Sequence, residues 1–174
     1  MKRGKLKFKS GWGRKELYTH FAKLGFVYGC EVGVFTGKNA RMMLDIIPDL
    51  KLYLVEPYGK HPKAKPLRFP LDYKKISSDA FRRLDGLNVK WLFGFSENIF
   101  SAVEDDSLDF VYIDGNHEYN FVMLDIILWT RKVRSGGVVS GHDFGLGGVK
   151  PALMDFCRAN NKTHGSPKCQ FHLT

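Results

Sequence analysis

Short apolar runs alternate along the chain with segments whose apolar residues are spaced as in amphipathic helices. The runs predict strands at 26–32, 52–56, 89–93, 108–114 and 136–144. The helically spaced segments predict helices at 14–24, 39–47, about 72–85, just after 96, and 117–133. At 174 residues the chain is long enough for one domain. The alternation therefore predicts a single α/β domain with a mostly parallel central sheet and helices on both faces.

The segment 57–70, PYGKHPKAKPLRFP, interrupts this alternation with four prolines. Proline removes a backbone donor and fixes φ, so neither a helix nor a central strand is expected there. We predict a long loop that serves as a lid or binding segment, with simple disorder as the alternative. Its basic side chains would suit an anionic substrate and are Lys60, Lys63, Lys65 and Arg68.

Basic residues exceed acidic ones by nine, and many of them crowd the start of the chain. We predict a basic tail over 1–13 and a folded domain over 14–174. The tail either attracts a polyanion such as nucleic acid or only solubilises the protein. No secretory signal is evident and no apolar run has the length of a membrane span, which favours a cytoplasmic protein that does not enter a membrane.

The cysteines number three, an odd count without C-x-x-C spacing, which favours free thiols over a disulfide framework. A zinc site is the alternative. Its ligands would be Cys157, His164, Cys169 and His172. Their spacing matches no common zinc finger, so we do not expect zinc there.

In parallel sheets, ligands bind beyond the carboxyl ends of the strands. The turn GCEVGVFTG, residues 29–37, follows the first predicted strand and contains Gly33 and Gly37. Glu31 in this turn would repel a pyrophosphate, which disfavours dinucleotide binding, and the P-loop motif is incomplete. An acid at this position makes sense for a cationic ligand, although it could also be a capping or ion-paired residue.

Glu56 ends the neighbouring strand, 19 residues after Gly37. A carboxylate there can accept both ribose hydroxyls of a nucleoside, although a surface residue before a proline is the simpler interpretation. Taken together, Glu31 and Glu56 suggest a nucleoside that carries a positive group. Asp114 and His117, in FVYIDGNHEYN, can face the same cleft because a strand ends and a helix begins there.

Several of these segments resemble class I S-adenosylmethionine-dependent methyltransferases. They are Glu31-Val32-Gly33-x-x-x-Gly37, Glu56, Gly94-x-Ser96 and the stretch 108–144. The IDG-x-H-x-Y strand end, the paired glycines before the last predicted strand and the HDF ending are similar to the branch of macrocin and sugar O-methyltransferases. The resemblance covers about residues 25–174 and implies a Rossmann-like methyltransferase fold with a further helix in GVKPALMDFCRAN.

The resemblance also implies the positions of S-adenosylmethionine contacts. Glu31, Gly33 and Gly37 would line the methionine end of the cofactor. Glu56 would hold the ribose, with Phe95 and Ser96 on the adenine side and Asp114 beside the cofactor. The structural alternative for Phe95 is a core position, which is more common for an aromatic residue after a strand.

In metal-dependent members of this branch, the matching positions hold a divalent ion beside a base. By resemblance, Asp114, His142 and Asp143 would bind Mg²⁺ or Mn²⁺, with Asp114, His117 and His142 catalytic and His117 taking the proton. His142 departs from the usual oxygen ligand, so it either shifts the metal preference or serves as a second base without metal. Capping by Asp114, an N-terminal helix position for His117 and a core position for His142 remain the structural alternatives.

The sequence thus predicts an S-adenosylmethionine-dependent O-methyltransferase that acts on a small hydroxylated or sugar-like acceptor, with metal assistance left open. One alternative is methyl transfer to RNA or another polyanion recruited by the basic tail. The other alternative is a nucleotide-binding module without catalysis.

Overall fold

A parallel β-sheet with helices on both faces makes up the computed structural model, which describes residues 9–10, 13–66, 69–162 and 171–173. The strands are β1 (Lys9–Ser10), β2 (Tyr28–Val32), β3 (Lys51–Val55), β4 (Val89–Leu92), β5 (Leu108–Ile113), β6 (Val133–Gly141) and β7 (Phe171–Leu173). The helices are α1 (Arg14–Lys23), α2 (Lys38–Ile46), α3 (Tyr73–Leu84), α4 (Ser96–Ile99), α5 (Tyr119–Thr130) and α6 (Val149–Lys162). A 3-10 turn, Phe100–Ala102, follows α4.

The strand order is β1-β7-β6-β5-β2-β3-β4, and each of the six neighbouring pairs is parallel. Strand β5 lies at the centre and all six of its residues are buried. Val111 and Ile113 pack with α5 and α6 on one face, whereas Phe110 and Tyr112 pack with α1 and α2 on the other. Burial on both faces explains the continuous apolar sequence of this strand. The predicted fold class is confirmed.

Strand β6 differs from its prediction because two glycines form an irregularity inside it. It begins at Val133 instead of residue 136 and ends at Gly141, so α5 ends at Thr130. The pairing register with β5 shifts between Leu108 and Phe110. Gly136 has a φ of 80°, and a Cβ on Gly137 would lie 2.5 Å from the Asp109 carbonyl oxygen. The irregularity therefore requires glycine and leaves His142 and Asp143 just beyond the strand end.

The predicted loop contains no helix or strand in its described residues, 57–66 and 69–70, which agrees with its prolines. Arg68 lies outside the described residues. Most of the predicted basic tail also lies outside them, although β1 within that tail pairs with β7. None of the described helices has the length and apolar character needed to cross a bilayer.

The thiols of Cys30 and Cys157 are free and buried. The other residues of the hypothetical zinc site, His164 and Cys169 together with the His172 side chain, lie outside the described part of the chain.

Candidate active site

A cavity of about 940 Å³ lies at the carboxyl ends of β2 to β6, as expected for a parallel sheet. Its volume is enough for a nucleoside and a second small molecule. The predicted site residues that line it are Glu31, Gly33, Glu56, Phe95, Ser96, Asp114, His117, His142 and Asp143. Gly37 does not line it: this residue precedes α2 with a φ of 71°, and a Cβ there would lie 3.0 Å from Leu84.

Glu31 lies near the end of β2 and is only 1% exposed. Its Oε1 accepts a hydrogen bond of 2.7 Å from Asn39 Nδ2, and Asn39 Oδ1 accepts one of 2.6 Å from the Tyr18 hydroxyl. Its Oε2 is buried without a partner among the described residues. Because burial disfavours the charged form, the pKa of Glu31 is raised to about 8. An unpartnered carboxyl oxygen in the cavity wall is suited to a hydrogen-bond donor on a ligand.

Gly33 allows the end of β2 to lie against the end of β5. Its φ is 90°, and a Cβ there would lie 2.3 Å from the Asp114 carbonyl oxygen. Asp114 N donates to the Val32 carbonyl across the same junction. This close approach brings Glu31 and Asp114 to one end of the cavity.

Glu56 follows β3 and organises the turns on either side of it. Its Oε2 accepts hydrogen bonds from the backbone N–H groups of Val34 and Phe35, and its Oε1 accepts one from Tyr58 N. Phe35 and Tyr58 have positive φ angles of 51° and 45°, so the carboxylate supports two unfavourable backbone conformations. A carboxylate offers about four acceptor positions, so these bonds leave little capacity for ribose hydroxyls.

The cavity wall also carries Phe95, Ser96 and two residues to which the sequence assigned no role. Ser96 Oγ donates to Asp125 Oδ1 on α5. Asp125 is 5% exposed, and burial raises its pKa to about 7. The His61 ring lies edge-on to Phe95, with ring centroids 4.6 Å apart, so the loop after β3 forms part of this wall.

A cluster of two acids and two imidazoles lies beyond β5 and β6. His117 Nε2 is 3.2 Å from Asp143 Oδ2 and 3.6 Å from Asp114 Oδ1. Neither contact has hydrogen-bond geometry, so this buried nitrogen lacks a partner in the described chain. His142 Nδ1 is 2.9 Å from Asp143 Oδ1 and 3.8 Å from Asp114 Oδ1.

The two acids raise the basicity of His117. Its pKa is raised chiefly by the Asp114 side chain and further by the charge of Asp143, while partial burial opposes the shift. Asp143 has a φ of 57°, which is unusual for a residue other than glycine. Strained backbone of this kind often occurs at functional sites.

Arg14 is the main site residue that the sequence did not identify. Its Nη2 lies 2.9 Å from Asp114 Oδ2, and its Nε donates a 3.1 Å hydrogen bond to the Tyr112 hydroxyl. In the sequence, Arg14 was one of the many basic residues near the start of the chain and was assigned no role in the site. Its four-residue spacing from Tyr18, in the same helix as buried Leu17 and Phe21, was the available indication that it faces the sheet.

The cluster forms a candidate site for a divalent ion. Ligand atoms of Asp114, His117 and Asp143 all lie within 4.8 Å of one another, and the unpartnered His117 nitrogen is among the candidates. Two carboxylates with an imidazole suit Mn²⁺, Fe²⁺ or Zn²⁺ better than Mg²⁺. This set contains His117 where the sequence predicted His142, whose Nδ1 instead lies close to Asp143. Metal binding itself stays a prediction.

Comparisons with solved structures agree with this fold. TomG from Streptomyces achromogenes, an O-methyltransferase solved with SAM, is 18% identical, has a TM-score of 0.60 and aligns over 86% of this chain and 66% of its own. Cofactor-bound Rv0187 from MTB is 18% identical, with a TM-score of 0.55 over 72% of this chain and 52% of that one. Precorrin-6y C5,15-methyltransferase from Geobacter metallireducens is 15% identical, with a TM-score of 0.51 over 72% of this chain and 59% of that one.

The chain thus spans between about half and two thirds of the length of these three proteins. No curated protein matches it. A family described as a methyltransferase domain matches residues 30–144, a range that extends from β2 to just beyond Asp143 and includes every lining residue of the cavity except Arg14. The resemblance noted in the sequence is thereby confirmed, and the chain belongs to the methyltransferase domain family.

Proposed function

We propose that this protein transfers the methyl group of S-adenosylmethionine to a hydroxyl oxygen of a small, hydroxylated or sugar-like acceptor. The observation that carries the proposal is the shared cavity: an unpartnered buried carboxyl oxygen of Glu31 and the His117 cluster line the same space. The Glu31 oxygen suits the amino group of a nucleoside to which an amino acid is attached, as in S-adenosylmethionine. The His117 cluster suits removal of a proton from an acceptor.

The proposed cofactor contacts involve side chains whose hydrogen-bonding capacity is only partly used within the protein. Glu31 Oε2 would accept from the methionine amino group, and a positive donor there favours the ionised carboxylate. Glu56 would orient the ribose through its remaining acceptor capacity. Phe95 and Ser96 would border the adenine, next to the buried acid Asp125. S-adenosylmethionine supplies an electrophilic methyl group on a sulfonium.

On the acceptor side, His117 would act as the general base. The acceptor oxygen forms a bond to the methyl carbon as the carbon–sulfur bond breaks, and its proton passes to the imidazole nitrogen. Asp114 and Asp143, at 3.6 and 3.2 Å, would stabilise the imidazolium that results. Orientation of the two substrates in one cavity supplies much of the remaining rate enhancement.

A divalent ion, when bound, would lower the pKa of the acceptor hydroxyl. Asp114 and Asp143 would hold it, with His117 or His142 as the nitrogen ligand. If His117 binds the ion, His142 remains as the base, which makes the two imidazoles alternatives for each role.

A small acceptor is proposed over a polymer because described residues of the loop after β3 line part of the cavity wall. Lys65 N donates a 2.9 Å hydrogen bond to Glu118 Oε1, and His61 Nε2 lies 2.8 Å from Glu97 Oε1. These contacts tie the loop to the elements on the far side of the cavity. Lys60 and Lys65 line its wall and would favour an acceptor with an anionic group.

Calorimetric titration with S-adenosylhomocysteine tests the cofactor assignment. We expect binding, and we expect Glu56→Ala to weaken it about tenfold or more because three backbone donors and the ribose lose their acceptor. Glu104→Ala, an exposed acid outside the cavity, is the control and should leave binding unchanged. Absence of binding to the unaltered protein would refute the proposal. Binding without turnover across a broad panel of hydroxylated acceptors would favour a non-catalytic module.

A further inference from the structure

Arg14 forms an ion pair with the acid that is central to the candidate metal cluster. Its guanidinium lies 2.9 Å from Asp114 Oδ2, and the other oxygen, Oδ1, faces the two imidazoles. Asp114 is therefore shared between a permanent cation of the protein and the position that a divalent ion would occupy. Both side chains are partly accessible, with exposures of 30% for Arg14 and 18% for Asp114.

The position of α1 does not depend on this ion pair. Leu17, Tyr18 and Phe21 of the helix are fully buried against the sheet, and Tyr18 also donates to Asn39. Arg14 occupies the first position of the helix, after Gly13. Because three buried side chains fix the helix, the guanidinium can leave Asp114 without moving α1.

A divalent ion on Asp114 would be close to the guanidinium and would be repelled by it. Charges separated by only a few ångströms interact strongly where the surroundings are partly buried. The guanidinium also withdraws one carboxylate oxygen from the set of ligands, because Nη2 already donates to it. Both effects lower the affinity of the cluster for a metal for as long as Arg14 stays in place.

We propose that Arg14 gates the metal site: the guanidinium and a divalent cation compete for Asp114. With Arg14 on Asp114, the carboxylate is charge-neutralised and available to orient His117 without a metal. With Arg14 displaced, the carboxylate becomes a full ligand. The inference concerns the same site as the proposed function but depends on protein–metal affinity and not on the identity of the acceptor.

The test is a titration with Mn²⁺ alone, in which free Mn²⁺ is measured by electron paramagnetic resonance. We expect Arg14→Met to bind Mn²⁺ at least tenfold more tightly than the unaltered protein. Lys15→Met is the matched control because it removes the same charge from the adjacent, exposed position of α1, outside the cavity. It should change the affinity by less than about twofold, since an exposed charge is screened. Adding Asp114→Asn to Arg14→Met should abolish the gain.

Equal Mn²⁺ affinities for Arg14→Met and Lys15→Met would overturn the proposal, as would weaker binding or no binding by Arg14→Met. If the methionine variant does not fold, Arg14→Gln retains an uncharged donor toward Asp114 and should show the same direction of change. S-adenosylhomocysteine binding is measured on the same samples. A protein that gains Mn²⁺ affinity but binds no S-adenosylhomocysteine would refute the proposed function and leave the gate standing.

Discussion

Two acids at the ends of adjacent strands line one cavity, yet their surroundings are opposite. Glu31, near the end of β2, is 1% exposed and has one neutral partner, Asn39. Asp114, after β5, is 18% exposed at its side chain and pairs with a guanidinium and lies near two imidazoles. The chain therefore keeps one carboxyl group dry and the other surrounded by charge.

The difference separates two kinds of chemistry. A dry carboxyl with a pKa of about 8 is mostly protonated at neutral pH, and a cationic donor would favour its ionised form, so Glu31 is suited to recognise one specific group. Asp114 lies beside a guanidinium and two imidazoles, so it is suited to support proton transfer or a metal. Under the proposed function, recognition of the cofactor and support of the reaction belong to separate acids.

Gly33→Ala should have the largest effect, because it forces apart the ends of β2 and β5 that carry the two acids. The new Cβ would lie 2.3 Å from the Asp114 carbonyl oxygen at a φ of 90°. We expect the free energy of unfolding to fall by about 3 kcal/mol or more, from steric overlap and backbone strain combined. Urea denaturation followed by circular dichroism measures this loss.

Gly25→Ala is the control for the strain alone. Gly25 has a φ of 70°, but no atom lies within 4 Å of the Cβ position. Its substitution should cost about 1 kcal/mol. Equal losses for both variants would show that the approach of β2 to β5 is not sterically limited at Gly33.

Glu31→Gln should test the difference between the two acids directly, because it removes the ionisable group of the buried acid and changes little else. The amide can still accept from Asn39, so the fold is retained. Loss of a charge-assisted hydrogen bond should weaken S-adenosylhomocysteine binding about 30- to 100-fold. Calorimetry measures the change, and Glu104→Gln is the exposed control. Unchanged affinity for Glu31→Gln would contradict the assignment of Glu31 to the amino group.

The same variant should alter the dependence of stability on pH. The folded pKa values of Glu31, about 8, and Asp125, about 7, lie above those of the unfolded chain. The native state therefore holds protons that the unfolded state has released, and stability falls as pH rises from about 5 to 8. Each group contributes a slope of up to about 1.4 kcal/mol per pH unit.

Denaturant unfolding at pH 6, 7 and 8 tests this dependence. We expect Glu31→Gln to lose less stability than the unaltered protein over this range, because Glu31 no longer contributes to the pH dependence. Parallel curves for the two proteins would show that Glu31 is ionised in the fold at neutral pH.

The sequence predicted the fold and the acceptor-side cluster because both follow from local patterns. Alternation of strands and helices places the residues after each strand at one edge, and Asp114, His117 and Asp143 are such residues. Arg14 was not predictable in the same way, because it reaches Asp114 from a helix 100 residues earlier in the chain. The spacing of Arg14 from Tyr18 indicates that it faces the sheet, but contact with Asp114 depends on how α1 packs, which the local pattern does not encode.

Glu56 shows a second limit. Its position at a strand end indicated a ligand contact, and the residue does line the cavity. Its hydrogen bonds to Val34, Phe35 and Tyr58 depend on backbone angles that the sequence did not reveal. A polar side chain at a strand end can thus support the turns of the site and still face its ligand, and the residue type does not distinguish these roles.

Ser96→Ala should have the smallest effect, because the Ser96 hydroxyl bonds to Asp125 and to neither Glu31 nor Asp114. Its hydroxyl donates to Asp125, and its loss would further raise the pKa of that buried carboxyl, which the hydrogen bond lowers. Since an ordinary hydrogen bond contributes about 1 kcal/mol, we expect S-adenosylhomocysteine binding to weaken about three- to fivefold. Ser107→Ala, which removes an exposed hydroxyl bonded to the Glu104 carbonyl, should leave binding unchanged. A loss as large as that of Glu31→Gln would mean that the adenine side contributes as much to cofactor recognition as the dry acid does.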